Sequence, residues 1–218
     1  MQLQRYVVGP LQVNCYLLVN PEARSAVVID PGQDIAPVLE AVQGLRVAMI
    51  LLTHGHFDHL AGVAHLREAT GAPVLIHRAE ARWLTDPGLN GSAHLPEFCP
   101  EPISGPPPDR LLTDGQELSW DGATIVCLHT PGHTPGGMSY YVPAARVVFT
   151  GDALFAGSIG RTDLPGGNHR QLLTAIREKL LTLDPETTVY PGHGESTTIG
   201  AEKAGNPFLL ELRDSTEM

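Results

Sequence analysis

Three histidines and one aspartate occur within one short run, His54-Gly55-His56-Phe57-Asp58-His59, directly after an apolar stretch. In an extended segment, residues two apart project to the same side, so we expect His54 and His56 to bind one cation. Asp58 and His59 lie one turn further on, and we expect them to bind a second cation. The alternative, surface histidines on a loop, is disfavoured by such a dense cluster of imidazole and carboxylate groups.

Three further residues, His133, Asp152 and His193, each follow a short apolar, β-branched run and are flanked by glycine or proline. This pattern predicts strands that end in tight turns, where side chains are held rigidly. A single histidine or aspartate in a turn is more often solvated or turn-forming than a metal ligand. Together with the dense run, however, these residues supply enough imidazoles and carboxylates for two metal sites that share one bridging carboxylate.

The order of these residues, H-x-H-x-D-H followed by a histidine, an aspartate and a final histidine, resembles the metallo-β-lactamase superfamily over nearly the whole chain. The resemblance implies a first metal on His54, His56 and His133, a second on Asp58, His59 and His193, and a bridge through Asp152. It also implies a catalytic role for Asp58, which would orient the attacking hydroxide from the second metal. Asp30 matches a family position that supports the metal-binding loop, although a turn aspartate before Pro31 is an equal alternative on the local sequence.

Within that superfamily, the chain most resembles the short single-domain branch of glyoxalase II, the hydroxyacylglutathione hydrolases. Three stretches carry this likeness: Pro10 to Tyr16, Gly151 to Phe155 with Gly160 to Asp163, and Gly192 to Phe208. The resemblance implies a metal-dependent hydrolase that cleaves the thioester of S-acyl glutathione-type substrates with a metal-bound hydroxide. Full-length glyoxalase II has an additional helical C-terminal domain that helps to hold glutathione, whereas only 25 residues follow His193 here.

Two other interpretations stay open at this point. The segment Gly160 to Asp163 is shared with persulfide dioxygenases, so the second interpretation is an Fe(II)-dependent persulfide dioxygenase with its iron on His54, His133 and Asp152. The third is a non-catalytic scaffold of the same fold. We rank the scaffold last, because an interaction module has no need to keep every metal ligand.

The expected cofactors are two divalent metal ions, for which zinc is favoured and iron or manganese are alternatives, because histidine and carboxylate ligands suit all three. The expected partner is a small thioester whose carrier thiol resembles glutathione. Arg161 and Lys203 are candidates to bind this anionic thiol, since a guanidinium can bind a carboxylate in a bidentate manner. The alternative for each is a solvated surface cation, and for Arg161 an internal pair with Asp163.

Composition excludes several other classes of function. The formal charge is −10 and no run of lysine or arginine occurs, which argues against a nucleic-acid partner. The three cysteines have no C-x-x-C spacing and indicate reduced thiols in a cytoplasmic protein. Neither a signal sequence nor a long apolar segment occurs, so we expect no membrane association. The sequence leaves the oligomeric state open.

Apolar periodicity predicts the elements that position these residues. Predicted strands cover residues 3–8, 13–19, 25–29, 47–52, 74–76, 117–120, 123–128, 138–142, 146–149 and 187–190, and predicted helices cover 35–42, 60–70 and 169–183. The proline- and glycine-rich stretch from Thr85 to Pro108 predicts a surface loop beside the site. Two strand-rich halves with helices outside them predict one α+β domain over residues 1–218, a four-layer αββα sandwich with the metal ligands along one edge.

Overall fold

The computed structural model describes residues 1–214, with side chains described as far as Leu210. It divides into two compact units, Met1–Leu112 and a second unit that begins at Thr113. Each unit contains its own six-stranded mixed sheet. The expectation of a single domain over residues 1–218 stays a prediction. The described residues include no helix that is both long and apolar enough to cross a membrane.

The first unit is a sheet with the strand order β1-β2-β3-β4-β5-β6, accompanied by three short helices. Its elements are β1 Gln2–Val8, β2 Val13–Asn20, β3 Ser25–Ile29, α1 Ala36–Ala41, β4 Arg46–Leu51, α2 Phe57–Leu60, α3 Val63–Thr70, β5 Val74–His77 and β6 Arg110–Leu112. Strands β3 to β6 pair in parallel. Because parallel strands end at the same edge of a sheet, the residues after β3 and β4 come together, and the Asp30 amide donates to the Leu51 carbonyl at 3.0 Å.

The helical segment after the dense run differs from its prediction. One helix over residues 60–70 was expected, but α2 begins inside the run, at Phe57, and α3 begins at Val63. The chain passes between the two helices at Gly62, where an added side-chain carbon would lie 2.4 Å from the Gly32 carbonyl oxygen. Helix α3 ends as predicted, at Gly71, which adopts the left-handed conformation that glycine favours.

The second unit is a sheet with the strand order β14-β13-β10-β9-β8-β7, together with a small hairpin, β11-β12. Its elements are β7 Glu117–Trp120, β8 Ala123–His129, β9 Met138–Val142, β10 Val147–Gly151, β11 Leu154–Phe155, β12 Ser158–Ile159, α4 His169–Ala175, β13 Thr188–Pro191, β14 Thr197–Thr198, α5 Ile199–Gly205 and α6 Pro207–Asp214. Strand β10 pairs in parallel with β13 and antiparallel with β9, which is itself antiparallel to β8. Strands β8, β10 and β13 therefore run in the same direction and end at the same edge.

A buried apolar cluster holds the elements of the second unit together. It includes Val148 and Val189 from the paired strands, Leu154 from the hairpin, Leu172 from α4 and Ile199 from α5. The helix predicted over residues 169–183 is α-helical only to Ala175 and continues as a π-helical turn over Ile176–Leu180. The hairpin β11-β12, strand β14 and helices α5 and α6 were not predicted.

Candidate metal centre

In the first unit, the dense run begins after β4, at His54, and ends within α2, at His59. His54 Nε2 lies 3.0 Å from His56 Nδ1, and His59 Nε2 lies 3.7 Å from Asp58 Oδ2. The structure therefore places His54 close to His56, and Asp58 close to His59, which are the two pairs that the sequence assigned to different metals. Apart from Asp58 and His56, which are partly exposed, these side chains are buried, so the run is held inside the unit rather than displayed as surface histidines.

Asp30 orients the dense run through hydrogen bonds to one of its side chains and to the residue before it. Its carboxylate accepts hydrogen bonds from the Thr53 amide at 2.7 Å, from the Thr53 hydroxyl at 2.6 Å and from His59 Nδ1 at 3.0 Å. Because a carboxylate can only accept, His59 carries its hydrogen on Nδ1, which leaves the Nε2 lone pair for a metal. The expected supporting role of Asp30 is confirmed by these contacts. The aspartate adopts a left-handed backbone conformation, with φ of 51°, which is uncommon for residues other than glycine.

Thr53 carries this orientation on to His54. Its hydroxyl donates to Asp30, and its oxygen lies 3.1 Å from His54 Nδ1. Since that hydroxyl hydrogen is committed to the carboxylate, the threonine oxygen is the acceptor and His54 Nδ1 is the donor. The Nε2 atom of His54 is therefore the nitrogen with the lone pair, and it is the atom that lies beside His56.

Glu80 is a second supporting carboxylate, and our sequence reasoning missed it. Its side chain is fully buried, and Oε2 accepts a hydrogen bond from the Gly55 amide at 2.6 Å. Gly55 has no space for a side chain, because an added carbon would lie 2.6 Å from Trp83 Cβ. Glu80 thus fixes the backbone between His54 and His56. No spacing or motif marks it in the sequence, since it lies 25 residues away from Gly55.

The proline- and glycine-rich stretch from Thr85 to Pro108 contacts the dense run and is anchored by the buried residue Asn90. The Asn90 carbonyl accepts a hydrogen bond from the Phe57 amide at 3.0 Å, so the stretch contacts the dense run as expected. Asn90 itself is fully buried, and its side chain donates to the carbonyls of Trp83 and Ile103 at 3.0 and 2.9 Å. The prediction of a surface loop is correct for most of the stretch, and Asn90 is its buried anchor, with its side-chain amide satisfied inside the protein.

In the second unit, the three predicted ligands meet at the common edge of β8, β10 and β13. Asp152 Oδ2 lies 3.7 Å from His133 Nε2 and 3.6 Å from His193 Nε2. One carboxylate oxygen therefore faces both imidazoles, and the bridging role of Asp152 stays a prediction. His133 Nδ1 lies 2.7 Å from the Arg161 carbonyl oxygen, and because a carbonyl can only accept, His133 Nε2 carries the lone pair.

Three of the four distances between these paired atoms are longer than a direct hydrogen bond, and all four can be compared with the spacing of a metal's ligands. A metal with bonds of about 2.0 to 2.1 Å to nitrogen in tetrahedral geometry places neighbouring ligand atoms about 3.3 Å apart. The four pairs within the units lie at 3.0, 3.6, 3.7 and 3.7 Å, on both sides of that value. Nitrogen and carboxylate donors suit zinc, iron and manganese. Each unit by itself therefore offers pairs of atoms at the spacing of a divalent metal's ligands.

The two candidate substrate cations are placed differently. Arg161 forms the internal pair that the sequence left open as an alternative, donating from Nε and a terminal nitrogen to Asp163, each at 2.8 Å. Both side chains are exposed. Hydrogen bonds from Arg161 lower the pKa of Asp163 to about 2. Lys203 lies on the exposed face of the last turn of α5. Binding of a substrate by either cation stays a prediction.

Comparison with known proteins identifies relatives over nearly the full length. The chain matches the model of the metallo-beta-lactamase superfamily over residues 8–193. It is 43% identical to the probable metallo-hydrolase YqgX of Bacillus subtilis, over 96% of this chain and 98% of that protein. It is 37% identical to the hydroxyacylglutathione hydrolase GloC of Haemophilus influenzae, over 96% of this chain and 98% of that protein.

Solved structures agree with this result. The BLEG-1 B3 metallo-beta-lactamase is 44% identical, with a TM-score of 0.90, over 95% of this chain and 99% of that chain. TTHA1623, solved in a di-iron-bound form, is 40% identical, with a TM-score of 0.82, over 94% of this chain and 100% of that chain. The predicted α+β metallo-beta-lactamase fold is thereby confirmed.

Proposed function

Because the chain belongs to the metallo-beta-lactamase superfamily and is a metallo-hydrolase, we propose that it hydrolyses the thioester bond of S-acyl glutathione-type substrates. The observation that carries this proposal is the set of paired ligand atoms at metal spacing in each unit. The choice of a thioester is supported by 37% identity over nearly the full length to a hydroxyacylglutathione hydrolase.

The proposed ligand set is the one that the sequence indicates. His54, His56 and His133 would hold one divalent ion, Asp58, His59 and His193 a second, and Asp152 both. When bound, such a pair of ions supplies a nucleophile at neutral pH by lowering the pKa of water, and it also polarises the carbonyl of the substrate. Zinc is our proposed metal, with iron or manganese as alternatives, and the di-iron form of TTHA1623 makes iron a metal to test.

The protein's own groups keep these ligands in their working states. Asp30 and the Arg161 carbonyl hold the hydrogen on Nδ1 of His59 and His133, so that both Nε2 atoms stay available. Glu80 fixes the turn at Gly55. Asp58 would accept a hydrogen bond from the attacking group and orient it, which is the catalytic role we assign to this residue.

Recognition of the thiol is proposed for Arg161 and Lys203. Glutathione carries carboxylates, and the chain carries a formal charge of −10, so an anionic substrate needs a local cation to offset repulsion. Arg161 lies on the segment that follows Asp152 and the hairpin, and its carbonyl contacts His133. The guanidinium therefore belongs to a residue whose backbone carbonyl contacts a proposed metal ligand. In this proposal it would bind a carboxylate of the substrate.

A second candidate is β-lactam hydrolysis, favoured by the 44% identity and TM-score of 0.90 to a B3 metallo-beta-lactamase. Both reactions are hydrolyses of an acyl bond, but a lactam nitrogen is a poorer leaving group than a thiolate and makes a proton donor more important. Persulfide dioxygenase activity, on a single iron held by His54, His133 and Asp152, is the remaining alternative.

One preparation of measured metal content distinguishes these reactions. The test is to assay hydrolysis of S-lactoylglutathione, hydrolysis of a chromogenic cephalosporin and oxygen uptake with glutathione persulfide, in zinc-loaded and iron-loaded protein. We expect thioester hydrolysis to have the highest kcat/KM. Oxygen consumed in proportion to persulfide, without thioester hydrolysis, would replace the proposal with a dioxygenase. Faster turnover of the cephalosporin would replace it with a lactamase, and a metal-loaded protein inactive in all three assays would support a scaffold.

A further inference from the structure

A buried carboxylate outside the proposed ligand set lies on helix α5. Glu202 is 4% exposed, and its oxygens accept three hydrogen bonds. The donors are the Gly157 amide at 2.9 Å, the Asn206 side-chain amide at 2.8 Å and the Thr197 hydroxyl at 2.7 Å. Burial of an ionised carboxylate is costly unless its hydrogen-bonding capacity is filled. Three donors directed at one carboxylate therefore indicate a specific role for this residue.

Glu202 and Asn206 together hold the tip of the β11-β12 hairpin. Glu202 binds the Gly157 amide, and the Asn206 side chain donates to the Ser158 carbonyl at 3.0 Å. Gly157 is in the left-handed conformation, with φ of 68°, so the turn has a geometry that few other residues adopt. We call this set of contacts, from Glu202 and Asn206 to Gly157 and Ser158, the hairpin clamp.

The clamped hairpin lies between two parts of the proposed metal centre. It follows Asp152 directly, and it is followed by Gly160 and Arg161, whose carbonyl accepts the hydrogen bond from His133 Nδ1. Gly160 packs tightly against Asp152, because a side-chain carbon added to Gly160 would overlap the Asp152 carbonyl oxygen, at 1.8 Å. A shift at the hairpin tip would therefore be passed on to the carbonyl that orients His133.

We propose that Glu202 and Asn206 are positioning residues of the metal centre, which act through the hairpin to keep the Arg161 carbonyl against His133. This proposal rests on the proposed assignment of His133 as a ligand, and it adds two residues that lie outside every ligand motif. Supports of metal ligands change metal affinity by about 10- to 100-fold when they are lost. Loss of the hairpin clamp should therefore weaken metal binding without removing any ligand.

The test compares Glu202→Ala with Thr198→Ala. An alanine at 202 removes both carboxylate oxygens, including the acceptor of the Gly157 amide, whereas Thr198→Ala removes the N-cap of the same helix, where the threonine hydroxyl accepts from the Ala201 amide at 3.1 Å. This cap bond lies at the start of α5 and does not involve the hairpin, so Thr198→Ala controls for simple weakening of the helix. Zn(II) affinity is measured by chelator competition, and the melting temperature of the metal-free protein is measured alongside.

We expect Glu202→Ala to weaken zinc binding by about tenfold or more, and Thr198→Ala to leave zinc affinity unchanged while lowering the melting temperature. The Nδ1–H signal of His133 in an NMR spectrum should also broaden or shift in Glu202→Ala alone. Equal zinc affinity in all three proteins would overturn the proposal, and so would equal weakening in both variants, since that would indicate an effect of helix stability.

If Glu202→Ala fails to fold, Asn206→Ala decides the question. This variant loses the bond to Ser158, the bond to Glu202 and the acceptor for the Phe208 amide, so it removes one clamp contact, one donor to Glu202 and one helix cap. Weaker zinc binding than in Thr198→Ala would support the hairpin clamp, and matching affinities would overturn it. Because zinc affinity is measured without substrate, a protein that shows this difference but cleaves no thioester would refute the proposed function and leave the clamp intact.

Discussion

The two halves of the proposed centre are built in different ways. In the first unit, the four predicted ligands lie within one run of the chain, between His54 and His59, and side-chain carboxylates of Asp30 and Glu80 hold them. In the second unit, the three predicted ligands lie on separate strand ends between residues 133 and 193, and a backbone carbonyl orients one of them. The first half depends on buried charges, whereas the second depends on strand direction and on the path of one hairpin.

This difference predicts different sensitivities to substitution. A supporting carboxylate can be replaced by its amide, which preserves shape, removes the charge and exchanges one acceptor oxygen for an NH2 donor. A supporting backbone carbonyl survives any side-chain substitution and can be displaced only by moving the chain. Substitutions in the first unit should therefore reveal electrostatic support, and substitutions in the second should separate ligands and substrate contacts from backbone geometry.

The largest effect is expected at Asp152, where one oxygen faces two predicted ligands. Asp152→Ala should lose both metals and reduce kcat/KM by about 100-fold or more, beyond the effect of losing a support. Because a metal that binds the folded state stabilises it, the variant should also lose most of the increase in melting temperature that added zinc gives the natural protein. Metal content by elemental analysis and thermal melting with and without zinc are the measurements.

A variant Asp152→Ala that keeps full metal content and near-normal turnover would remove Asp152 from the ligand set. Asp163→Ala is the matched control, since this exposed aspartate lies on the same segment and pairs with Arg161 instead. Zinc content should stay normal in that control.

The next largest effect is expected at Asp30. Asp30→Asn keeps one acceptor for Thr53 but presents an NH2 group where His59 Nδ1 now donates, so His59 is driven to place its hydrogen on Nε2. We expect zinc affinity to fall by about 10- to 100-fold. Chelator competition measures it, and a change of less than about twofold would show that the supporting carboxylate does not set the tautomer that the metal needs.

How far the sequence could lead is clear from these two halves. Strands such as Ser25–Ile29 and Met138–Val142 were predicted at their observed bounds, because short runs rich in β-branched and aromatic residues signal a strand locally. The two-residue strands Leu154–Phe155 and Thr197–Thr198 are too short to carry any periodicity. Their existence depends on neighbours far away in the chain, as does the hairpin clamp.

The candidate site divides in the same way. The spacing of the histidines and the aspartate in the dense run predicts metal binding, and the family position of Asp30 predicts its supporting role. Glu80 and Glu202 carry no such signal, because a lone glutamate is ordinarily a solvated residue. Both are buried by tertiary packing. Their roles as acceptors become visible only when the distant donors, the amides of Gly55 and Gly157, are located in space.

A smaller effect is expected at Glu80, and it separates charge from shape in the first unit. Glu80→Gln can still accept from the Gly55 amide, so we expect zinc affinity to change by less than about tenfold, the lower end for supports of metal ligands. Glu80→Ala leaves that buried amide without its acceptor, which should lower the free energy of unfolding by about 1–3 kcal/mol. Urea unfolding of the metal-free proteins measures this, and equal stability of the two variants would contradict the role assigned to the Gly55 bond.

The smallest effect on metal binding is expected at Arg161, for which we propose separate roles of the backbone carbonyl and the guanidinium. Arg161→Ala keeps the carbonyl that orients His133 and removes only the guanidinium. Zinc affinity should therefore be unchanged, whereas KM for a glutathione thioester should rise about tenfold, the loss of roughly one charge-assisted hydrogen bond. Hydrolysis of a small uncharged thioester should stay nearly constant, and equal losses on both substrates would show that the side chain supports the fold or the metal instead.

Asp163 refines this last prediction, because its pair with Arg161 would compete with a carboxylate of the proposed substrate for the same guanidinium. Hydrogen bonds from Arg161 lower the pKa of Asp163 to about 2, so the carboxylate stays charged from pH 5 to pH 9 and the competition is constant across any practical assay. Because the pKa of Asp163 is lower in the folded protein than in the unfolded chain, the pair contributes stability above the unfolded pKa, and this contribution is lost only as pH falls toward about 2. The pair is exposed, so the stability of the protein should hardly respond to pH through this group. Asp163→Asn should release Arg161 and lower KM for the glutathione thioester by the same factor at pH 6 and pH 9. An unchanged KM would mean that Arg161 binds no carboxylate of the substrate, and a decrease seen only at low pH would assign the competition to another group.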